Sequence, residues 1–399
     1  MNMNKIAFNI LTVPVLAVLA VSCGGQDEIY KEWVKKGGYD YPAKAINLSS
    51  VIGYQNVIVN WEKPMDPAVR TATLFWDNYA KSIDVDYADY PDGKVSIKVG
   101  ELEDRSYTFD IVNYDDVGNK SLAAEITVSP YGDGWMVSRS ERTVTSARMD
   151  GRDAKIVMSK ATDEMIATRF RYKNLQDEWV ESETVLKPGE NEVTFKDAMK
   201  GKRFEYSSSF CPKAGKDTVW RTWTKSVDGI SYQIDGSRWN VTATNGQYFG
   251  INTPEKIFDG RYDRPAYSWH SSKSDNNKQA FPKILSVDTQ TSTGEEFAFT
   301  GFTFCENNTA ASLRYIKDYT IYVGSSYYNP DDADYLKNFG IPFIGGTLST
   351  SADQYSVNVT QGATGRYMAI VFKNSWNADD GFIDLWEFIP YGYIPSLAD

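Results

Sequence analysis

Histidine is nearly absent from this chain of 399 residues, which has one, and cysteine is scarce, with three. The single His270 leaves little scope for a Ser-His-Asp arrangement, and the two residue types together are too few for a Cys/His zinc cluster. Cys211 and Cys305 fall in what read as different domains, so no structural disulfide is expected, and each reads as a small buried hydrophobe. Positive charge is also in deficit. Lys and Arg number 42 against 53 Asp and Glu, and a net charge of -11 cannot neutralise a run of phosphates, which argues against a nucleic-acid partner. No glycine-rich phosphate loop follows a strand and opens a helix. Carboxylates suffice for a glycosidase pair, but most of the chain is accounted for by small β domains rather than a large scaffold around a cleft, so catalysis is not expected.

Long apolar runs are missing except for Ile6 to Val21, which is near the minimum length for a membrane span and has no basic stop-transfer flank. Lys5 precedes it and Ala20-Val21-Ser22-Cys23-Gly24 ends it. A short charged start, an apolar middle and small residues before a cysteine make a bacterial lipoprotein signal peptide over residues 1–22, with lipidation expected at Cys23. The alternative is an ordinary secretory signal beside a chance cysteine. One acyl chain holds a protein at a membrane only marginally, whereas two or more anchor it stably. The following Gly24-Gly25-Gln26-Asp27-Glu28 resembles the acidic export tag of surface lipoproteins in the Bacteroidetes. Residues 23–40 read as a tether that Gly37-Gly38 closes.

What the chain has in excess is aromatic residues, 14% with 26 Tyr and 11 Trp, which suits strands and sugar-stacking surfaces alike. Short alternating runs begin with Val57-Ile58-Val59-Asn60-Trp61 and Ala72-Thr73-Leu74-Phe75-Trp76, continue with Val95-Ser96-Ile97-Lys98-Val99, and reach Tyr107 to Val112; Pro, Gly and Asp turns separate them. At an offset of about 97 residues they recur as Ala154 to Met158, Thr168 to Tyr172, Val193 to Phe195 and Lys202 to Tyr206. A fixed offset marks an internal duplication. Two β-sandwiches are therefore expected, over residues 41–131 and 135–228, and both resemble fibronectin type III modules. The first also resembles an N-terminal domain of Bacteroidetes surface lipoproteins. Both copies read as spacers.

The remainder, residues 232–393, carries Asn252-Thr253-Pro254-Glu255-Lys256-Ile257-Phe258-Asp259-Gly260, then Ser268-Trp269-His270-Ser271 and Pro282-Lys283-Ile284-Leu285-Ser286-Val287-Asp288. Tyr315 to Val323, Gly365-Arg366-Tyr367-Met368-Ala369-Ile370 and Asp384-Leu385-Trp386-Glu387-Phe388 follow. In this order they resemble the coagulation-factor type C (discoidin) family, which includes the family 32 carbohydrate-binding modules. The resemblance implies a third β-sandwich that holds ligands with loops at one end, and an all-β chain overall. It also implies a structural calcium, carried onto Asp259, Asp263 and Glu387, since oxygen ligands suit a hard cation. The alternative is that Asp259 caps a turn and Glu387 is a solvated strand residue.

Sugars offer C–H faces to aromatic rings and hydroxyls to amides and charged groups, so a site needs an exposed ring beside Asn, Asp or Arg. Lys373-Asn374-Ser375-Trp376-Asn377 has that composition between two strands. Trp376 is the expected stacking platform, with Asn374 and Asn377 as its hydrogen-bonding neighbours; the alternative is that the indole folds back on the core. Tyr327, Tyr328, Arg314 and His270 are further ligand-binding candidates, and Arg366 reads as a supporting residue. The sequence reading is a non-catalytic, surface-exposed outer-membrane lipoprotein that captures polysaccharide, working beside a transporter complex. The competing class is a protein-binding adhesin or accessory subunit.

Overall fold

The computed structural model of the chain describes residues 41–244, 250–261, 268–271, 281–290, 294–306, 316–349, 353–376 and 383–399. Strands account for nearly all regular structure, and the helices are single turns. The signal peptide, Cys23 and the tether lie outside the described residues. Two compact units divide the chain, Met1–Tyr131 and Gly132–Asp399.

The first unit holds β1 (Ile46–Gly53), β2 (Asn56–Glu62), β3 (Val69–Trp76), β4 (Lys81–Asp86), β5 (Lys94–Val99), β6 (Tyr107–Asp115) and β7 (Ala124–Val128). They form two antiparallel sheets, in the orders β1-β2-β5 and β4-β3-β6-β7. Alternation decides which face turns inward: Val57, Val59 and Trp61 from β2 meet Leu74 from β3 and Phe109 and Ile111 from β6. The buried polar atoms are satisfied in a chain. Trp61 Nε1 donates to the Tyr87 hydroxyl at 3.0 Å, that hydroxyl donates to Asn113 Oδ1 at 2.8 Å, and Asn113 Nδ2 donates to the Ala43 carbonyl at 2.8 Å.

The second unit opens with α1 (Asp133–Val137) and then repeats the same plan in β8 (Val144–Asp150), β9 (Asp153–Met158), β10 (Met165–Lys173), β11 (Trp179–Glu181), β12 (Glu192–Phe195), β13 (Glu205–Phe210), β14 (Val219–Trp220) and β15 (Thr224–Lys225). Its sheets run β12-β9-β8 and β11-β10-β13-β14, with β15 also on β13, which is the strand order of the first sandwich shifted by seven. Arg142 is buried here and donates to the carbonyls of Ser159, Lys187 and Glu190. Neither Cys211, just after β13, nor Cys305 is in a disulfide among the described residues.

A third sandwich completes this unit from β16 (Tyr232–Gln233), β17 (Asn240–Ala243), β18 (Trp269–His270), β19 (Lys283–Asp288), β20 (Phe297–Glu306) and β21 (Asp318–Gly324), followed after α2 (Tyr335–Phe339) by β22 (Ile344–Thr347), β23 (Gln354–Gly365), β24 (Tyr367–Phe372) and β25 (Asp384–Tyr393). One sheet runs β16-β25-β20-β23 with β18 on β25, the other β17-β19-β24-β21-β22. Phenylalanines fill the space between them: the Phe302 and Phe388 rings stack at 5.0 Å, and Phe304 meets Phe388 edge-on at 5.1 Å. Such pairs add to the large area that each ring buries.

The second and third sandwiches are laced together within this unit. Ser231 donates to the Ala147 carbonyl at 2.9 Å and accepts from the Met149 N–H at 2.8 Å, and Tyr232 then pairs with β25. Asp228 accepts the Tyr393 hydroxyl at 2.9 Å through one oxygen and the Gly362 N–H at 3.2 Å through the other. The Arg203 N–H reaches the Ala398 carbonyl at 2.8 Å, and Lys225 pairs with the Asp399 carboxylate at 2.6 Å.

Candidate functional site

Three chain segments meet at one end of the third sandwich: the approach to β21, the exit from β22 and the exit from β24. The Lys373 N–H donates to the Asp318 carbonyl at 2.8 Å, the Lys317 N–H to the Asn374 carbonyl at 3.2 Å, and the Leu348 N–H to the Lys317 carbonyl at 2.8 Å. Asn374 closes the knot with its side chain. Its Oδ1 accepts the Asp318 N–H at 2.9 Å and its Nδ2 donates to Asp318 Oδ2 at 2.7 Å. The other oxygen of Asp318 takes the Thr347 hydroxyl. Those two side-chain hydrogen bonds, Thr347 first, hold the Asp318 carboxyl below the usual carboxylate range.

On this scaffold stands Trp376, 43% exposed. Its Nε1 donates to the Leu348 carbonyl at 3.0 Å, and the Lys317 ammonium lies 4.7 Å from the ring centroid. The indole is therefore fixed in orientation but not absorbed into the core. Exposure without a partner is costly for a ring of this size, and a fixed ring loses little entropy when something stacks on it. Asn374 has both ends of its amide engaged by Asp318, so its part is to hold the loop. Asn377 and Arg314 lie outside the described residues.

Contacts lead inward from the same loops. Ile316 bridges Ser375, and the Ile316 N–H donates at 2.7 Å to Oε1 of Glu306, whose second oxygen is buried with no hydrogen-bond partner among the described residues. Burial pushes the Glu306 carboxyl up to about 8, and the charge of Asp384 adds to the effect. Asp384 is in turn the cross-strand partner of His270, whose neighbour Trp269 is fully buried against Phe372 at 5.6 Å. His270 thus sits at the same end of the sandwich as the Trp376 loop. Lys283, the partner of Phe372 at this end, is fully buried, and burial pushes its ammonium down to about 8. Sequence reasoning passed over Glu306 and Lys283, although the signal was there. Phe302, Phe304 and Glu306 alternate, as do Lys283, Leu285 and Val287, which puts each charged residue in line with core side chains.

Tyr327 and Tyr328 are not part of this cluster. They follow the far end of β21, where Gly324 pairs with Tyr367, about 20 Å along the strand from Asp318. The Tyr327 ring packs edge-on against Tyr367 at 5.7 Å, and Tyr328 against Phe339 at 5.1 Å. Arg366 makes a two-pronged pair with Asp288, at 2.7 and 3.0 Å.

The residues expected to hold calcium form a second locus. Glu387 is 4% exposed; its Oε1 accepts the Gly260 N–H at 3.2 Å, and its Oε2 is buried with no hydrogen-bond partner among the described residues. Asp259 Oδ1 accepts the Arg261 N–H at 2.9 Å. Burial, with the Asp259 carboxylate adding to it, pushes the Glu387 carboxyl up to about 8. A buried acid with an orphaned oxygen beside a second carboxylate is a donor set that suits a hard cation. Asp263 lies outside the described residues, and among those described no group of three or more Asp, Glu, His or Cys is placed to hold a metal.

Residues 23–217 match the model of a family described as a domain of unknown function, DUF4998. No curated protein matches the chain. Among solved structures it is similar to the family 32 carbohydrate-binding module of C. perfringens NanJ in complex with galactose, at 17% identity over 41% of this chain and 99% of that one, with a TM-score of 0.32. It is similar to a fucolectin from striped bass (Morone saxatilis) serum, at 11% identity over 74% of this chain and 86% of that one, with a TM-score of 0.32. A SusE-like protein is similar at 10% identity over 87% of this chain and 97% of that one, with a TM-score of 0.30. At these scores the likenesses carry no weight beside the residues themselves.

Proposed function

We propose that the chain is a non-catalytic glycan-binding lipoprotein that captures polysaccharide at the outer membrane, anchored through Cys23 and working beside a transporter. The observation that carries this reading is Trp376, a half-exposed indole pinned by the Leu348 carbonyl and flanked by the Lys317 ammonium. A pyranose ring laid on that indole would present C–H groups to the π face and hydroxyls to Lys317. The segments that carry the discoidin resemblance belong to the third sandwich, which supports assigning the ligand to its loops. Weak contact at one shallow site becomes useful when the target repeats, because effective concentration multiplies the binding events. Calcium, if bound by Glu387 and Asp259, would brace the loop at Asp259–Arg261 and take no part in contact with sugar.

Native affinity electrophoresis in gels cast with soluble polysaccharides tests the reading. The chain is expected to be retarded by at least one polysaccharide, and Trp376→Ala to lose most of that retardation, a weakening of about tenfold or more. Equal mobility of the two proteins in every gel that retards the wild type would remove Trp376 from the site.

A further inference from the structure

The four most exposed large apolar side chains among the described residues of the first unit are Met65 at 96%, Val117 at 82%, Leu122 at 68% and Tyr41 at 58%. They come from three separate stretches of chain: the lead-in to β1, the turn from β2 to β3 and the turn from β6 to β7. Bonds beside each of them bring the three stretches together at one end of the first sandwich. The Ala43 N–H donates to Asp66 Oδ2 at 2.9 Å, Asn113 Nδ2 to the Ala43 carbonyl at 2.8 Å and the Ser121 N–H to the Asn113 carbonyl at 2.9 Å, while Arg70 pairs with Asp116 at 3.2 Å. We propose that this end of the first sandwich rests on the lipid surface that anchors the chain, with Met65, Val117 and Leu122 entering the interface and Tyr41 beside them. The inference rests on acylation at Cys23 and goes beyond it by assigning a face of the protein to the membrane.

Strand direction decides what this end faces. β1 begins here at Ile46 and runs eight residues to Gly53, about 27 Å away. At that far end the Gln55 N–H donates to the Tyr131 carbonyl at 2.7 Å, so the chain leaves the sandwich opposite to where it enters. The tether of residues 23–40 therefore joins the apolar end directly, and even fully extended it spans no more than about 65 Å. An acylated Cys23 would keep this end within that distance of the bilayer. Apolar groups gathered on a surface mark contact sites, and a tether makes the contact with lipid intramolecular, so that a weak one is repeatedly remade. At the opposite end the one comparably exposed ring, Tyr79, packs on Phe75 at 4.9 Å.

The charges around the patch suit lipid headgroups. Its acids are engaged within the protein: Asp66 accepts the Ala43 and Ala68 N–H groups, both at 2.9 Å, Asp115 accepts those of Val117 and Asn119 at 3.0 and 2.8 Å, and Asp116 is held by Arg70. Lys44 and Lys120, from the lead-in to β1 and the turn from β6 to β7, are both exposed. Ammonium groups on flexible stems reach phosphate while their methylenes lie along apolar surface. The side chains themselves divide in the same way, since aliphatic groups bury at the acyl boundary and a phenol settles at headgroup level.

Fluorescence of the acylated chain, reconstituted in vesicles of phosphatidylethanolamine and phosphatidylglycerol, tests the contact. A polarity-sensitive fluorophore is attached in turn through Met65→Cys, Val117→Cys and, at the opposite end, Tyr79→Cys. Each is made in a Cys211→Ser background, because that thiol is partly exposed whereas Cys305 is buried. Emission is expected to shift to the blue, and to be quenched by lipids brominated in their acyl chains, at the sites of Met65 and Val117 and not at that of Tyr79. Val117→Ser with Leu122→Ser is expected to remove most of the shift at the site of Met65, which nearness to the anchor alone would leave in place. Thermal melts of each variant check that the fold is retained. Mass spectrometry of the Cys23 fragment separates the two ways to fail. Without acyl chains there, the anchoring reading falls and the contact with it. With acyl chains present, no shift, an equal shift at all three sites, or a shift indifferent to the serine pair overturns the contact alone. A shift that appears only when other surface proteins are added would assign the patch to a protein partner and overturn the lipid contact.

Discussion

Glu306 shows how one buried carboxyl tunes the end of the third sandwich. Its carboxyl, pushed up by burial to about 8 from an ordinary 4.5, keeps between these limits a proton in the folded state that the unfolded state gives up. Its contribution to stability is therefore present below about pH 4.5 and lost progressively as pH rises toward 8. Glu387 acts with the same sign. The melting temperature is expected to fall between pH 5 and pH 8, and Glu306→Gln to flatten that fall while leaving stability at pH 5 within about 1 kcal/mol of wild type. Parallel melting curves for the two proteins across this range would mean that Glu306 does not carry the effect. Asn374 makes a contrasting case. Alanine there removes both amide bonds to Asp318, so it should cost about 1–2 kcal/mol and weaken glycan binding only through the disordered support of Trp376.

At the scale of elements, β25, which carries Glu387 near its start, and the short turn that Asp259 caps bring two acids together. A divalent cation there would favour the ionised Glu387 that burial opposes. Calcium is expected to raise the melting temperature by several degrees in the wild type, more at pH 8 than at pH 5, and to have no such effect on Glu387→Gln. An equal rise in both proteins would place the ion elsewhere. How far such elements can be read from residue order depends on burial. Val57, Val59 and Trp61 alternate cleanly because one face of β2 is sealed in the core, and the repeat from Ala154 to Met158 carries the same signal. β1 and β4 escaped because their faces are largely solvated, and polar residues such as those of Lys81–Asp86 leave little apolar period to detect. The Trp376 loop was legible from composition. Which end of the sandwich Tyr327 occupies was not, because that depends on the direction of β21 in the sheet, a long-range fact. Glu306 was legible only to a count of parity along β20.

For the whole second unit, the question is whether two sandwiches behave as one body. Asp228 is the joint that answers it, because its two oxygens hold Tyr393 and Gly362, both from the third sandwich, while its own chain belongs to the end of the second. Tyr393 is 3% exposed, so removing its acceptor strands a buried hydroxyl. Asp228→Ala is expected to cost about 1–3 kcal/mol, and Tyr393→Phe less, since it leaves the Gly362 bond in place. If the joint couples the two sandwiches, the double variant will lose less than the sum, with an interaction energy of about 0.5–3 kcal/mol from calorimetric unfolding of the full chain. Strict additivity of the two substitutions would mean that the sandwiches are merely adjacent and that the lacing at Ser231 and Arg203 alone sets their arrangement.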